Sequence, residues 1–200
     1  MSYSVDSKSA QEVISFLQII GKLKDTPRTG WVNNDIRNPE SVSDHMYRMS
    51  LMCMMCPDTS LDKTRMIKMA LCHDAGESIV GDITPFSKIS KQEKQVMELE
   101  AVQQLSALAS SSGCASFSKE LHDLFREYED QKTPESIFVR DMDLLEMIIQ
   151  AHSYEGLQPK KDLGSFFESG EKIQHPWAKA IFERLKNTRP FLSQQQSSNI

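Results

Sequence analysis

Residues 69–85 read MALCHDAGESIVGDITP, an apolar helical run followed by an imidazole and three carboxylates, which are His73, Asp74, Glu77 and Asp82. Neighbouring side chains on a helix point about 100° apart, so His73 and Asp74 can share a ligand only near a helix end. Glu77, four positions on, returns to the face of His73. Two glycines interrupt the pattern here. The stretch therefore predicts a helix end at which these polar side chains project into one volume.

Two interpretations of this stretch remain open on these residues alone. One is a solvated helix C-terminus, where a histidine is favoured by the negative end of the helix dipole. The other is a metal site, because Asp74, Glu77 and Asp82 are acidic residues at that same negative end, where only a cation or another function would compensate them. The second interpretation requires further ligands from other segments.

The rest of the chain predicts an all-α fold, a compact single-domain helical bundle. Apolar residues recur at helical spacing, and no segment alternates apolar and polar residues as a strand would. We expect flexible residues 1–9, a domain over 10–188 and a disordered tail over 189–200. Capping boxes at Ser9 and Ser90, and Thr133 before a proline, mark helix starts. The predicted helices span 10–24, 42–56, 62–73, 96–109, 118–129 and 134–152, and a long loop covers 25–40.

Composition excludes several classes of protein. A net charge of -5 argues against a nucleic-acid polymer as partner. No apolar stretch approaches the roughly 20 residues of a membrane helix, and no signal peptide is visible, so we expect no membrane partner and an intracellular location, in the cytoplasm or nucleus. The four cysteines are then free thiols, and the CxxC of Cys53 and Cys56 fits buried small apolar residues on a helix.

Further ligands for a metal site are found on two other predicted helices. His45 lies one turn into a helix with later apolar positions, so we expect it to point inward. Asp141 and Asp143 stand in the apolar context FVRDMDLLEMII, and periodicity does not decide which of them faces the core. The other histidines fit surface or helix-end positions: His122, His152 and His175.

Two imidazoles and two carboxylates, without a thiolate, suit Mn²⁺, Fe²⁺, Co²⁺, Ni²⁺ or Zn²⁺. A cation with open positions lowers the pKa of a bound water, which favours hydrolysis of phosphate esters. Arg28, in the loop 25–40, carries a guanidinium that matches a phosphate. The stretch HDAGE has no second histidine at the i+4 position of zincins, and no phosphate-binding G-x-x-x-x-G-K-[ST] stretch is present.

Four stretches together carry a family resemblance over roughly residues 10–155: RTGW, PESVSDHMYRMS, ALCHDAGESIVGDITP and FVRDMDLLEM. They resemble the HD-domain metal-dependent phosphohydrolases, and within them the 5′-deoxynucleotidase group. The resemblance implies an HD-type helical bundle that hydrolyses deoxyribonucleoside 5′-monophosphates to deoxyribonucleosides and phosphate, by attack of metal-activated water. It also implies a cofactor among Mn²⁺, Co²⁺ and Mg²⁺, with Zn²⁺ or Fe²⁺ still open, a small-molecule substrate and a homodimer.

The resemblance assigns roles to individual residues. The implied metal ligands are His45, His73, Asp74 and Asp143. Asp143 is preferred to Asp141 because the last family motif is an Asp followed three positions later by Glu, here Glu146. The resemblance implies that Glu77 and Asp82 act in proton transfer, and it offers a second cation site formed by these two residues and the carbonyl of Ile83. The expected substrate contacts are Arg28, Trp31, Thr84 and Lys88.

Two alternatives remain to the expected activity. The first is an HD phosphohydrolase that acts on another nucleotide, such as a deoxynucleoside triphosphate, a cyclic dinucleotide or an alarmone. The second is a metal-stabilised scaffold without turnover. Glu77 and Asp82 argue against the scaffold, because a structural site has no need of acidic residues beyond its ligands.

Overall fold

The helical prediction is confirmed by the computed structural model, which describes residues 6–84 and 87–190. Within these ranges the chain forms ten α-helices, two 3-10 turns and no strand, apart from one isolated bridge between Pro27 and Ser41. None of the described helices is long and apolar enough to cross a membrane. The helices are α1 Ser7–Gly21, α2 Thr29–Asn33, α3 Val42–Met54, α4 Lys63–Cys72, α5 Glu77–Val80, α6 Lys91–Ser111, α7 Ala115–Asp130, α8 Pro134–Leu157, α9 Gly164–Glu168 and α10 Pro176–Asn187.

The start of α1 differs from the sequence prediction. The carboxylate of Asp6 caps the helix by accepting from the backbone N–H groups of Lys8 and Ser9, and the helix begins at Ser7. The predicted capping box at Ser9 is therefore wrong, since an aspartate three residues earlier satisfies the free N–H groups first. Part of the segment predicted to be flexible is thus helical; residues 1–5 of it, and 191–200 of the predicted tail, lie outside the described residues.

The start signals predicted at Ser90 and Thr133 are confirmed. Ser90 and Thr133 both form capping boxes, and Pro134 occupies the first turn of α8. The loop predicted over 25–40 holds one element that the sequence pattern missed, the five-residue helix α2. It is too short to show a helical period.

Helix α8 is the centre of the bundle and packs against α3, α4, α7 and α10. Its buried side chains, among them Met142, Leu145 and Ile148, join those of α3 and α4 in the main core. Cys53 and Cys56 are buried in this core as free thiols, as predicted. Since α3, α4 and α8 share one core, polar residues on their inner faces meet inside the protein.

The segment after α8 packs against the same core. Asp141 on α8 accepts from the backbone N–H groups of Gln174 and His175 at 2.6–3.1 Å, and His175 in turn caps α10. His152 is not at a helix end as predicted, because α8 continues to Leu157; its Nε2 lies 3.0 Å from the carbonyl of Thr188. The buried polar atoms of α8 therefore hold the C-terminal helices in place.

Gly170 makes the closest backbone approach in this segment. A Cβ added there would lie 2.2 Å from the ring of Phe182, which is fully buried on α10. We expect Gly170→Ala to lower the free energy of unfolding by about 1–3 kcal/mol through overpacking. Thermal denaturation checks this, with Gly21→Ala as control: nothing lies within 4 Å of its added Cβ. Equal melting temperatures for the two variants would contradict the prediction.

Candidate metal centre

Two histidines and an aspartate converge where α3 and the end of α4 meet. His45 lies on α3, His73 is the C-terminal cap of α4, and Asp74 follows it. One ligand atom from each of the three lies within 4.8 Å of the other two. The sequence expectation that His73 and Asp74 stand at a helix end is therefore confirmed, and the backbone turn lets both side chains face His45.

Each of the two rings is bonded through its Nδ1 atom, which leaves Nε2 directed at the centre. Nδ1 of His73 lies 2.9 Å from the carbonyl of Ala70, which only accepts, so Nδ1 carries the proton. Nδ1 of His45 lies 2.5 Å from a carboxylate oxygen of Glu146. Among the residues that the structure describes, Nε2 of neither ring has a hydrogen-bond partner, although both are buried. Buried imidazole nitrogens that make no hydrogen bond and face carboxylate oxygens fit a metal ion.

Asp143 and Asp141 point to different parts of the molecule. Oδ1 of Asp143 lies 3.3 Å from Nε2 of His45. The Asp141 carboxylate instead accepts hydrogen bonds from the backbone N–H groups of 174–175. Oδ2 of Asp143 accepts from the hydroxyl of Tyr128 at 2.7 Å and from Arg140 at 2.9 Å. The structure thus brings Asp143, and not Asp141, to the two histidines and Asp74.

Arg28 stands between the carboxylates of this centre. Its Nη1 lies 3.3 Å from Oδ2 of Asp74, and its Nη2 lies 4.0 Å from Oδ1 of Asp143. Burial lowers the pKa of Arg28, but Asp74 and the neighbouring carboxylates outweigh burial and raise it, so the guanidinium stays charged. Burial opposes ionisation of Asp74, yet His73 and Arg28 hold its pKa below the usual range. The centre therefore combines ionised carboxylates with the fixed positive charge of Arg28.

Glu77 is the first residue of the short helix α5, so it does not lie at the negative end of α4 as the sequence argument assumed. Its side chain is buried, and its Oε2 makes no hydrogen bond within the described part of the chain. Burial raises the pKa of Glu77 well above the ordinary value, and the charges of Asp74 and Asp82 raise it further. In the metal-free protein Glu77 therefore holds a proton that an exposed glutamate would release.

This raised pKa predicts a pH-dependent stability. Above the ordinary value of 4.5, an unfolded chain loses the proton of Glu77 while the folded chain retains it, so Glu77 destabilises the fold as pH rises. We expect Glu77→Gln to have the higher melting temperature in chelator, by a margin that grows as pH rises above 4.5. Melting curves of both proteins across this range check it, and a margin independent of pH would contradict it.

Asp82 follows α5 and holds the loop that carries Arg28. Its Oδ2 accepts from the backbone N–H of Thr29 at 2.6 Å, and its carbonyl accepts from the Thr29 hydroxyl at 2.7 Å. Thr29 is the first residue of α2, so the Asp82 carboxylate caps that helix from a distant part of the chain. Asp82 thereby fixes the backbone next to Arg28.

The other positions expected around this site differ in their surroundings. The carbonyl of Ile83 accepts from Nζ of Lys94 at 2.8 Å, so a second cation there would have to displace an ammonium group. The hydroxyl of Thr84 is buried without a hydrogen-bond partner among the described residues. Lys88 is exposed. Within the described part of the chain, the Thr84 hydroxyl thus has no hydrogen-bond partner, while the Ile83 carbonyl has one.

Trp31 does not offer a face to a ligand, contrary to the expected substrate contact. Its side chain is 2% exposed and packs against the rings of Tyr154 and Phe166 at 5.3 and 4.4 Å. Its indole N–H donates to Glu40 at 2.9 Å. The tryptophan is a core residue that anchors α2, because its large apolar ring gains more from burial than from a place at a polar site.

Sequence reasoning did not find several polar residues around the centre. Tyr128 contacts two members, since its hydroxyl donates to Asp143 and its ring lies 4.7 Å from that of His73. Tyr128 belongs to α7, and no sequence spacing links it to either residue. Lys94 and Glu98 form an i,i+4 ion pair on α6, a signal that the sequence does show.

Comparison with known proteins identifies the family. The HD domain family matches residues 20–185. The chain is 43% identical to 5′-deoxynucleotidase hdd1 of Schizosaccharomyces pombe, over 88% of this chain and 89% of the relative. It is 42% identical to human 5′-deoxynucleotidase HDDC2, over 94% of this chain and 91% of the relative.

Solved structures agree with this match. A conserved hypothetical protein from Pyrococcus furiosus superposes with a TM-score of 0.71 at 30% identity, covering 87% of this chain and 99% of that one. HD domain-containing protein YGK1 superposes with a TM-score of 0.66 at 28% identity, covering 89% and 85% of the two chains. With the family match spanning most of its length and the paired histidines and aspartates in place, this chain belongs to the HD domain family.

Proposed function

We propose that this chain is a metal-dependent 5′-deoxynucleotidase, which hydrolyses deoxyribonucleoside 5′-monophosphates to deoxyribonucleosides and phosphate. The observation that carries the proposal is the pair of buried Nε2 atoms of His45 and His73, which make no hydrogen bond within the described residues and face carboxylates, with Arg28 beside them. The names of the relatives, 5′-deoxynucleotidases over most of both chains, support the substrate class.

The residues that would hold the cation are His45, His73, Asp74 and Asp143. Neutral imidazoles and carboxylates without a thiolate suit Mn²⁺, Co²⁺ and Mg²⁺, which are the metals we propose, and exclude neither Zn²⁺ nor Fe²⁺. A divalent cation held by these residues would supply Lewis acidity and would lower the pKa of water toward neutrality, which is the chemistry that phosphate ester hydrolysis requires.

The protein's own side chains bind the phosphate and supply the proton. Arg28 presents a charged guanidinium beside Asp74, where it binds the non-bridging phosphate oxygens and stabilises their charge. Thr84 and Lys88 are further proposed phosphate or sugar contacts. Glu77 retains a proton in its buried position and donates it to the leaving 5′-oxygen.

Between the two acidic residues, the surroundings favour Glu77 as the general acid. The Asp82 carboxylate already accepts a hydrogen bond from the backbone N–H of Thr29, so it positions the backbone next to Arg28. A second cation at Glu77, Asp82 and the Ile83 carbonyl stays a prediction of the resemblance; it would compete with Lys94 for that carbonyl. We also propose a cytoplasmic or nuclear location, which the four free cysteines support, and a homodimer, which sedimentation would test.

The test of the proposed function is phosphate release by chelator-treated protein supplied with Mn²⁺, Co²⁺ or Mg²⁺. The substrates are matched deoxyribo- and ribonucleoside 5′-monophosphates and one deoxynucleoside triphosphate. We expect metal-dependent release from the deoxyribonucleoside monophosphates only. Release from the triphosphate alone, or none despite metal binding, would contradict the proposal and favour another nucleotide substrate or a binding role.

Arg28→Lys tests the proposed phosphate contact. Lysine keeps the charge but not the planar donor pair, and hydrogen bonds to charged groups contribute about 1.5–3 kcal/mol. We expect KM for the deoxyribonucleoside monophosphate to rise about 10–100-fold, since each 1.4 kcal/mol is tenfold. Steady-state kinetics measures this, with Arg37→Lys, an exposed arginine of the same loop, as control. An unchanged KM would remove Arg28 from the substrate site.

A further inference from the structure

Glu146 is a fully buried carboxylate on α8, located behind the ring of His45. Its Oε2 lies 2.5 Å from Nδ1 of His45. Its Oε1 accepts from Nε of Arg48 at 2.7 Å and also from the Nη2 of that arginine. Because both oxygens are paired, the carboxylate is fixed in one orientation, and its hydrogen bond to the proposed metal ligands is the one to His45.

Arg48 anchors Glu146 from the helix that also carries His45. It lies three residues after His45 on α3, so the two side chains project from neighbouring positions of one helix face. Its Nη1 donates to the side chain of Gln150 at 2.7 Å, and its Nη2 lies 3.3 Å from Oε2 of Glu40. The planar guanidinium thus joins three side chains and offers Glu146 a paired donor.

Glu40 connects this arrangement to the loop of Arg28. Its backbone carbonyl accepts from the N–H of Arg28 at 3.0 Å, and its Oε1 accepts from the indole of Trp31 at 2.9 Å. Its side chain is mostly buried, with 9% exposed. A continuous set of hydrogen bonds therefore runs from the proposed phosphate-binding arginine, through Glu40, Arg48 and Glu146, to His45.

We propose that Glu146, anchored by Arg48, is a positioning residue that holds His45 with Nδ1 protonated and Nε2 turned toward Asp74 and Asp143. Glu40 extends the same hydrogen-bonded set to the loop that carries Arg28. The inference rests on the proposed metal site. Its physical basis is that a carboxylate bonded to the second nitrogen of a metal-binding histidine fixes the tautomer and raises the basicity of the ligand.

The test is Mn²⁺ binding by Glu146→Gln, followed by electron paramagnetic resonance of the free ion. Glutamine has nearly the same shape but lacks the charge that favours a protonated Nδ1, so we expect the dissociation constant to rise about 10–100-fold. The control is Asp141→Asn, which removes a buried carboxylate of the same helix whose hydrogen bonds, among the described residues, go to the backbone of 174–175. It should lower the melting temperature and leave Mn²⁺ binding at the wild-type value.

Arg48→Met is a second test of the positioning role, and it does not depend on whether Glu146→Gln folds. The Arg48 side chain is 34% exposed and lies outside the apolar core, and we expect weaker Mn²⁺ binding because Glu146 loses its anchor. Wild-type affinity in Glu146→Gln, or an equal loss in Asp141→Asn, would overturn the positioning role and leave the proposed function standing. Absence of Mn²⁺ binding by the wild-type protein would overturn both.

Discussion

The Asp74→Ala variant is expected to lose Mn²⁺ binding together with phosphate release, with turnover falling about 10³-fold or more, since a catalytic cation contributes several kcal/mol. Asp74 is the carboxylate of the three-residue cluster with His45 and His73. Its removal also frees Arg28, whose Nη1 lies 3.3 Å from it. Arg28 then keeps Asp143 as a more distant carboxylate neighbour, at 4.0 Å, and its less balanced charge repels a cation, so both the ligand and the charge balance are lost.

Two measurements check this prediction on the same protein. Titration with Mn²⁺ reports the metal site, and phosphate release from a deoxyribonucleoside 5′-monophosphate reports turnover. Asp123→Ala is the matched control, because it removes an exposed aspartate of α7 that pairs with Lys119. Retention of Mn²⁺ affinity by Asp74→Ala would contradict the proposed ligand set, and loss in both variants would indicate a general effect on the fold.

The Glu77→Gln variant is expected to bind Mn²⁺ as the wild type does while its turnover falls about 10²–10⁴-fold, the usual contribution of a general acid. Glutamine preserves the size of this buried side chain and removes only the acidic proton. Because Glu77 begins α5 and lies beyond the cluster of His45, His73 and Asp74, the metal-binding atoms keep their positions.

The choice of leaving group makes this prediction specific. A deoxynucleoside monophosphate with sulfur in place of the bridging 5′-oxygen has a leaving group that needs no proton, so we expect the deficit of Glu77→Gln to shrink on that substrate. Phosphate release by wild type and variant on both substrates measures the effect. Equal deficits on the oxygen and sulfur substrates would show that Glu77 acts otherwise than by protonating the leaving group.

The helical class and part of the site were predictable from local sequence. The apolar period, the capping residues Ser90 and Thr133 and the glycines after His73 are local signals, and the structure confirms the elements that they mark. The start of α1 was predicted wrongly because two nearby residues are both suitable helix caps. Asp6 and Ser9 both suit a helix cap, and the earlier one takes it.

The choice between Asp141 and Asp143 needed more than helical periodicity. The two residues lie on one helix, and each faces a buried surface, one against the backbone of 174–175 and the other against His45. Only the family motif favoured Asp143 before the structure did. Trp31 was misplaced for a related reason, since its position in sequence beside Arg28 does not reveal that its ring turns into the core.

The sequence by itself determined the all-α class, the helix end at His73 and the set of residue types that suits a divalent cation, because each depends on neighbours within a few positions. The tertiary structure alone decided which residues meet across helices. It placed Glu146 and Arg48 behind His45, Tyr128 beside Asp143 and Lys94 at the carbonyl of Ile83. These contacts join residues up to 101 positions apart, and they depend on how α3, α6, α7 and α8 pack, which no local pattern records.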